Sequence, residues 1–207
     1  MLIRINPENI DERLIWQVCN CLRNGGVIIY PTDTVYTLGC DLTHREAYEK
    51  ICRLKSVKPN KANFSIVCYD LSHLSDFTAT LPTPVYKMMK RLLPGPYTFI
   101  LNGNNNLAKI FGYPKKTIGI RVPDNPIARA IVDELGAPIL SASIKNEDTV
   151  LEYITDPEEI YQVYQDIVDI VIDGGPGGNI PSTIIDYTGN EPVLVREGAG
   201  AVDIVER

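Results

Sequence analysis

Hydrophobic residues recur along the chain in short runs that are rich in β-branched and aromatic residues and are bounded by Gly, Pro or Asn. Runs of this length and composition predict β-strands. Eight strands are predicted, at 27–32, 63–69, 97–102, 117–122, 138–143, 166–173, 182–187 and 192–197. The last two are joined by the short turn "TGNE", which predicts an antiparallel hairpin.

Four other segments show the features of helices. Segment 8–26 ends in glycine and places five apolar residues on one helical face: Ile10, Leu14, Ile15, Val18 and Leu22. "THREAYEKICRL" predicts a helix with Thr43 as N-cap and Glu46 completing a capping box. "NPIARAIVDELG" and "DPEEIYQVYQ" begin with Asn and Asp caps, each followed by proline at the first helical position.

Strands and helices are interspersed in an irregular order, without a repeat or a linker. This pattern predicts the α/β class, with a twisted mixed sheet of parallel and antiparallel strands and flanking helices. The chain has 207 residues, a length that suits one substantial domain. We therefore expect residues 1–207 to form a single domain.

The composition is that of a soluble globular protein, with 44% hydrophobic and 22% charged residues. No apolar stretch approaches the ~20 residues that span a bilayer. The first residues, "MLIRINPENIDERL", lack the basic-then-apolar order of a signal peptide. These features predict a cytoplasmic protein with no membrane partner.

The five cysteines are Cys19, Cys21, Cys40, Cys52 and Cys68, an odd number in the first third of the chain. Their spacing fits neither a zinc site nor a CxxC redox pair, and the two histidines stand near no second pair of ligands. We expect buried free thiols and no structural metal.

Positive charge is concentrated although the net charge is −6. Six Lys or Arg and two Glu lie between 45 and 61, whereas nine acids and no basic residue lie between 147 and 173. The segment "RLKSVKPNKANFS" (53–65) contains Arg53, Lys55, Lys58 and Lys61. A solvated loop is one interpretation of such a run, and a local patch for an anionic ligand is the other.

The common nucleotide and hydrolase signatures are missing from the sequence. It contains no P-loop, no GxGxxG after a strand, no GxSxG and no HExxH. The glycine-rich segment "DGGPGGN" (173–179) has no Lys or Ser in the P-loop register and by itself predicts a turn.

Hydroxyl and cationic residues recur instead at the ends of predicted strands. They are Thr32, Thr34, Tyr36, Arg121, Ser141, Ser143, Ser182, Thr183 and Arg196, joined by Lys55 after a helix. One such residue carries little information, because hydroxyls often cap strands. Their joint occurrence predicts a cleft for an anionic, hydroxyl-bearing ligand.

Six motifs and one lysine occur in the order seen in the YrdC domain family. The motifs are "PTDTVYTLG", "PGPYTFIL", "TIGIRVPDNPIA", "LSAS", "DGG…PSTIID" and "VLVREGAG", and the lysine comes after the helix that follows the first motif. The resemblance covers about residues 12–200. It implies a twisted α/β sheet with a positively charged concave face. It also implies ATP-dependent L-threonylcarbamoyladenylate synthase activity, which serves threonylcarbamoyladenosine formation in tRNA: threonine, bicarbonate and ATP give threonylcarbamoyl-AMP and pyrophosphate.

The resemblance also implies roles for individual residues. Lys55 and Arg121 are the expected catalytic residues, and Lys55 would hold ATP phosphates as a point charge. The expected contacts to threonine and its carbamate are Thr32, Thr34, Tyr36 and Ser182. The expected nucleotide contacts are Lys55, Lys58, Ser141, Ser143 and Arg196. Mg²⁺ is expected to arrive with the substrate ATP rather than in a protein cage.

Three positions differ from the usual family pattern, and the chain is most similar to the YciO-like branch. Val57 stands in place of the arginine of the family's Lys-x-Arg motif, and Ser143 stands in place of the asparagine of its Ser-x-Asn motif. Thr37 stands in place of the glycine that usually follows the tyrosine of the first motif. Two alternatives stay open beside the synthase. One is a non-catalytic protein that binds tRNA or another structured RNA on the same basic face. The other is an enzyme that acts on a different small amine or acid.

Overall fold

The computed structural model describes residues 1–144 and 153–202. Within these ranges ten strands form one sheet, in the order β1-β8-β2-β3-β7-β4-β6-β5-β9-β10. The strands are β1 (Leu2–Arg4), β2 (Ile28–Tyr30), β3 (Thr37–Gly39), β4 (Ser65–Val67), β5 (Tyr97–Asn102), β6 (Thr117–Arg121), β7 (Ile139–Ser143), β8 (Ile170–Asp173), β9 (Thr183–Asp186) and β10 (Val193–Arg196).

The sheet is mixed, as predicted. The pairs β1–β8, β8–β2, β4–β6 and β5–β9 are parallel. The pairs β2–β3, β3–β7, β7–β4, β6–β5 and β9–β10 are antiparallel. The expected hairpin at the end of the chain is therefore confirmed in β9 and β10.

Six helices accompany the sheet in the described ranges: α1 (Glu12–Arg23), α2 (Arg45–Leu54), α3 (Thr83–Leu92), α4 (Asn106–Phe111), α5 (Pro126–Leu135) and α6 (Pro157–Tyr164). The sequence patterns missed β1, β3, α3 and α4. β1 and β3 have only three residues each. The predicted strand 166–173 is too long, because Ile167 and Val168 donate backbone hydrogen bonds to Tyr164 and continue the end of α6 as a turn.

The caps of α5 and α6 form as predicted. Asn125 accepts a hydrogen bond from the Ala128 amide, and Asp156 accepts one from the Glu158 amide. The prediction of Thr43 as the N-cap of α2 is wrong. His44 occupies that position without a side-chain cap.

Asp41 explains the difference at the start of α2. Its Oδ1 accepts hydrogen bonds from both the amide and the hydroxyl of Thr43, each at 2.8 Å. Because the carboxylate is a strong local acceptor, it holds Thr43 in an Asx-type turn before the helix begins.

Two apolar clusters lie on the two faces of the sheet, since side chains alternate along each strand. The larger cluster contains Ile29, Leu38, Ile66, Phe99 and Ile120 with residues of α2, α3, α4 and α6. The smaller cluster contains Ile28, Tyr30, Val67, Ile139, Ile170 and Ile172 with residues of α1 and α5. The second face is thus closed by helices over only part of its width.

The cysteines are free thiols, of which four are buried and Cys21 is half-buried. None of the described helices is both long and apolar enough to cross a membrane.

Candidate active site

Strand register places a polar surface beside the smaller apolar cluster, on the same face of the sheet. Residues paired across strands share a face, and Ser141 pairs with Ser65, which pairs with Gly119. Arg121 pairs with Val67, and Thr37 pairs with Ser143. We call this surface the polar half-face and define it as Thr37, Ser65, Thr98, Gly119, Arg121, Ser141, Ser143, Ser182 and Arg196.

The loop after β2 folds back onto the polar half-face. Thr32 Oγ1 donates to the Val35 carbonyl at 2.7 Å and accepts from the Thr34 amide at 3.2 Å, which fixes a tight turn. Thr34 Oγ1 in turn accepts a hydrogen bond from Arg121 Nη2 at 3.0 Å. The loop that carries both predicted threonines is therefore anchored at the end of β6.

Arg121 also forms a buried ion pair with Asp33. Its Nη2 lies 3.1 Å from Asp33 Oδ1, and the two side chains are only 6% and 9% exposed. Among the described residues, Asp33 Oδ2 and Arg121 Nε are buried without a hydrogen-bond partner. Burial raises the pKa of Asp33, and the charge of Arg121 acts in the opposite direction. Buried polar atoms without partners are uncommon, and at a strand end they indicate a functional site.

Lys55 reaches the polar half-face from the end of α2. It is the C-cap residue of the helix, and the chain reverses at Ser56, which has a φ of 52°. Lys55 Nζ donates to the Ser143 carbonyl at 2.9 Å. Ser143 Oγ donates to the Tyr153 hydroxyl at 3.1 Å. The predicted phosphate-binding lysine therefore meets the strand end where the predicted nucleotide contact Ser143 lies.

Lys58 is placed differently from Lys55. It is exposed at the N-cap position of the 3₁₀ turn Pro59–Lys61. No described contact joins its side chain to the polar half-face, so its role toward a nucleotide stays a prediction.

Tyr36 is fully buried and binds the glycine-rich segment 173–179. Its hydroxyl donates to the Gly175 carbonyl at 2.7 Å and accepts from the Gly174 amide at 3.2 Å. Burial raises the pKa of Tyr36 to about 12. A Cβ on Gly177 would lie 2.6 Å from the Tyr36 ring, and one on Gly178 would overlap the Thr34 carbonyl. These glycines are needed because the segment packs directly against the loop 32–36.

Arg196 completes the far end of the polar half-face. Its Nε and Nη2 donate to the Ser182 carbonyl at 3.1 and 2.8 Å. Ser182 Oγ lies 2.8 Å from Thr98 Oγ1. This contact joins the start of β9 to β5 and places the Arg196 guanidinium on the same surface as Arg121.

Ser141 and Thr37 form the centre of the surface. Thr37 Oγ1 donates to the Ala142 carbonyl at 2.7 Å and lies 3.2 Å from Ser141 Oγ. The strand pairs thus bring together Ser141, Ser143, Lys55, Arg121 and Arg196, although they come from four separate segments of the chain.

Sequence reasoning missed Asp33, Ser65 and Thr98. Asp33 could have been found, because it is the acid inside the quoted motif "PTDT" and a buried arginine needs a counter-charge. Ser65 and Thr98 had no signal of their own, since only the strand register places them on this face.

The arrangement supplies cations and hydroxyl donors rather than a nucleophile with an adjacent base. Fixed charges and donors of this kind stabilise phosphates and carboxylates as their charge develops. The described residues include no cluster of His, Cys, Asp or Glu that could hold a metal ion.

Comparison with known proteins places this fold and site in one class. The Sua5, YciO and YrdC family, described as "Telomere recombination", matches residues 20–198. The chain therefore belongs to the Sua5/YciO/YrdC family.

Within that family the chain is similar to YciO of Escherichia coli strain K12. The two sequences are 43% identical over 199 residues, which cover 96% of this chain and 95% of YciO. The crystal structure of E. coli YciO has a TM-score of 0.88 at 40% identity, covering 99% of this chain and 98% of that one. The predicted resemblance to the YciO-like branch is confirmed.

Threonylcarbamoyl-AMP synthases are more distant relatives. The Bacillus subtilis enzyme is 32% identical over 201 residues, or 95% of this chain and 56% of that protein. The crystal structure of Pyrococcus abyssi Sua5 complexed with L-threonine has a TM-score of 0.88 at 25% identity, covering all of this chain and 60% of that one. The chain thus spans somewhat more than half the length of these two proteins.

Proposed function

We propose that the chain is an ATP-dependent nucleotidyltransferase that makes L-threonylcarbamoyladenylate for tRNA modification. The observation that carries this proposal is the convergence of Lys55, Arg121 and Arg196 on one hydroxyl-lined half-face. ATP, bicarbonate and threonine all bear negative charge, so one cationic, donor-rich surface suits the three substrates.

The chemistry requires positioning more than covalent catalysis. The amine of threonine combines with bicarbonate and loses water, which gives an N-carboxylate. An oxygen of that carboxylate attacks the α-phosphorus of ATP, the bond to the β-phosphate oxygen breaks, and pyrophosphate leaves. Charge builds up on the phosphate oxygens during this step, and fixed cations stabilise it.

Each cation has a position suited to one part of this reaction. Lys55 would bind phosphates as a point charge, since its ammonium group stands at the end of β7. Arg121 would bind the carboxylate of threonine or of its carbamate beside Thr34. Arg196 and Ser182 would bind the nucleotide at the opposite end of the surface. Mg²⁺ would enter with ATP and neutralise its phosphates, held by phosphate oxygens and water.

The relatives support this assignment at the level of the reaction class. Threonylcarbamoyl-AMP synthases share the fold, and P. abyssi Sua5 is seen with L-threonine. The position of Ser143 bears on the acceptor. Its hydroxyl is engaged by Tyr153 and its carbonyl by Lys55, so this strand end differs chemically from one that carries an asparagine amide.

The decisive experiment measures pyrophosphate release from ATP, Mg²⁺ and bicarbonate, with each amino acid supplied in turn. We expect release that depends on both bicarbonate and threonine. Release with a different amine only would keep the reaction class and change the acceptor. No release with any amino acid, together with salt-dependent binding of structured RNA, would overturn the enzyme and favour the RNA-binding alternative.

A further inference from the structure

The hydroxyl of Tyr30, at the end of β2, is buried beside the candidate active site without a hydrogen-bond partner. Tyr30 is 0% exposed, and within residues 1–144 and 153–202 it is one of four residues with a buried side-chain nitrogen or oxygen that lacks a partner. Two of the others, Asp33 and Arg121, form the ion pair of the active site. Because unpaired buried polar atoms cost free energy, each of them calls for an explanation beyond packing.

Strand register directs the Tyr30 side chain toward the centre of the polar half-face. Tyr30 pairs with Thr37, so both side chains lie on the same face of the sheet. The register of β3 with β7, continued by one residue, places Gly39 opposite Ser141. A Cβ on Gly39 would lie 2.6 Å from the Tyr30 ring. The ring therefore crosses β3 over a glycine and carries its hydroxyl toward Ser141 on β7.

The Ser141 hydroxyl acts on the Tyr30 hydroxyl although no regular hydrogen bond joins the two groups. Burial raises the pKa of Tyr30, and the charge of Arg121 and the hydroxyl of Ser141 act in the opposite direction. Both groups are therefore close to the phenol oxygen. Because its pKa is raised, the phenol keeps its proton at neutral pH and can donate a hydrogen bond.

The direction of the contact between Thr37 and Ser141 follows from counting hydrogens. Each hydroxyl has one hydrogen to donate. Thr37 donates its hydrogen to the Ala142 carbonyl at 2.7 Å, so it accepts in the 3.2 Å contact with Ser141. The hydrogen of Ser141 therefore points to Thr37, and the Ser141 oxygen keeps lone pairs that could accept a hydrogen bond from Tyr30.

We propose that Tyr30 is a positioning residue that acts through Ser141 when a nucleotide binds, an inference that rests on the proposed function. Ser141 is 7% exposed and Tyr30 is fully buried, so ATP can reach only the serine. The hydrogen of Ser141 would turn from Thr37 to an oxygen of ATP. The Tyr30 hydroxyl would then donate to Ser141 Oγ, while Thr37 keeps its bond to the Ala142 carbonyl.

This rearrangement changes the direction of hydrogen bonds and transfers no proton. Its consequence is that a buried donor without a partner gains one only in the complex. The free energy recovered in this way strengthens ATP binding and holds the Ser141 hydroxyl in one orientation. Tyr30 would thus contribute to binding without touching the ligand.

The first test measures thermal stability and uses no ligand. Tyr30→Phe removes an unpaired hydroxyl and keeps the ring, so its Tm should equal that of the parent or exceed it. Tyr164→Phe is the matched control, because the Tyr164 hydroxyl donates to the Ile144 carbonyl at 3.0 Å, and Tyr164 packs against the larger apolar cluster on the other face. Its Tm should fall. A clear fall of Tm in Tyr30→Phe would show that the hydroxyl already has a partner, such as a buried water, and would overturn the inference.

The second test measures the binding of ATP with Mg²⁺ by calorimetry. Tyr30→Phe should bind about tenfold more weakly than the parent, and Tyr164→Phe should bind like the parent. Equal affinity of Tyr30→Phe and the parent would overturn the inference and leave the proposed function intact. Absence of ATP binding by the parent would contradict the proposed function and, with it, this inference.

A double-mutant cycle tests whether Tyr30 acts through Ser141. On a Ser141→Ala background the phenol has no serine oxygen to bond, so Tyr30→Phe should cause no further loss of ATP affinity. Additive losses would show that the two residues act separately and would overturn the inference.

Steady-state pyrophosphate release separates positioning from a loss of folded protein. Because the bond to Ser141 forms when ATP binds, Tyr30→Phe should raise the KM for ATP about tenfold and change kcat by less than about twofold. A merely structural role would lower the apparent kcat through the amount of active enzyme and leave the KM for ATP unchanged. That result would overturn the inference.

Discussion

The two halves of one sheet face differ in chemistry although they belong to the same sheet. Around β8 and β2 the face carries isoleucines, such as Ile28 and Ile170, which pack under α1 and α5. From β7 to β10 it also carries hydroxyls, a glycine and arginines, several of which bond to one another and to loops, beside Val67 and Ile139 of the apolar cluster. The strands of both halves are hydrogen-bonded into one sheet. The chemistry of the outward side chains therefore decides which half becomes core and which becomes a site.

The comparison also shows how a polar surface remains ordered. In the apolar half, dispersion and the removal of apolar area from water hold the side chains in place. In the polar half, Arg121 is held by Asp33 and Thr34, and Arg196 by Ser182. These contacts fix the cations before a substrate binds, which lowers the cost of ordering them during binding.

The largest expected effect follows removal of the buried cation. Arg121→Met leaves Asp33 buried without its counter-charge, which should lower the free energy of unfolding by about 3–5 kcal/mol. Urea unfolding at neutral pH measures the loss. Arg121→Met combined with Asp33→Asn should recover a large part of it. A loss below about 1 kcal/mol would show that the pair does not stabilise the polar half.

The same variant has an expected pH dependence. Burial raises the pKa of Asp33, so its protonated form favours the folded state. This contribution is fully present below the unfolded pKa of about 3.9 and is lost as pH rises through the higher folded pKa. The stability deficit of Arg121→Met should therefore shrink as pH falls from 7 toward about 4. A constant deficit over this range would contradict the assignment.

The next effect concerns the apolar half. Ile28→Ala should destabilise the protein by about 2–5 kcal/mol, because it removes a fully buried side chain and leaves a cavity. Ser141→Ala is the matched change in the polar half, and it should cost about 1 kcal/mol through one lost hydroxyl contact. Thermal or urea unfolding of the two variants gives the comparison. Equal losses would show that the two halves are held together in the same way.

Lys55→Ala should act on activity rather than on stability. We expect at least about a hundredfold loss of pyrophosphate release, since a fixed cation at the phosphates can contribute several kcal/mol. Lys61→Ala, in the same cationic segment but exposed, should cost little. In an RNA-binding protein the two changes would instead weaken binding similarly, and each would lower the salt slope by about one. That pattern, with no pyrophosphate release from the parent, would contradict the synthase.

The smallest expected effect is a gain. Ser143→Asn restores an amide at the end of β7 while keeping the backbone carbonyl that binds Lys55. If the lack of this amide limits the stabilisation of the transition state, turnover should rise a few-fold. One positioned hydrogen-bond donor can change the rate by more than that. Steady-state pyrophosphate release with threonine measures it. An unchanged or lower rate in a folded variant would show that this strand end is arranged for another acceptor.

Local sequence signals predicted eight of the strands, because each of these contains a run rich in β-branched or aromatic residues that is bounded by Gly, Pro or Asn. They also placed the caps at Asn125 and Asp156, where the physical cause lies within four residues. The signals failed at Thr43, because the Asp41 carboxylate accepts hydrogen bonds from the amide and the hydroxyl of Thr43 before the helix begins. They also missed α3 and α4.

The sequence by itself determined the mixed α/β class, the final hairpin, the free thiols and the order of motifs that identifies the family. It also pointed to Lys55, Arg121 and Arg196 as cations at the ends of elements. Only the tertiary structure decided which of them meet. Strand order brings β7 next to both β3 and β4 and joins Lys55 to Ser143, across 88 residues of chain. The physical reason is that periodicity specifies which face of a strand is buried, whereas the neighbour of that strand depends on packing over the whole sheet.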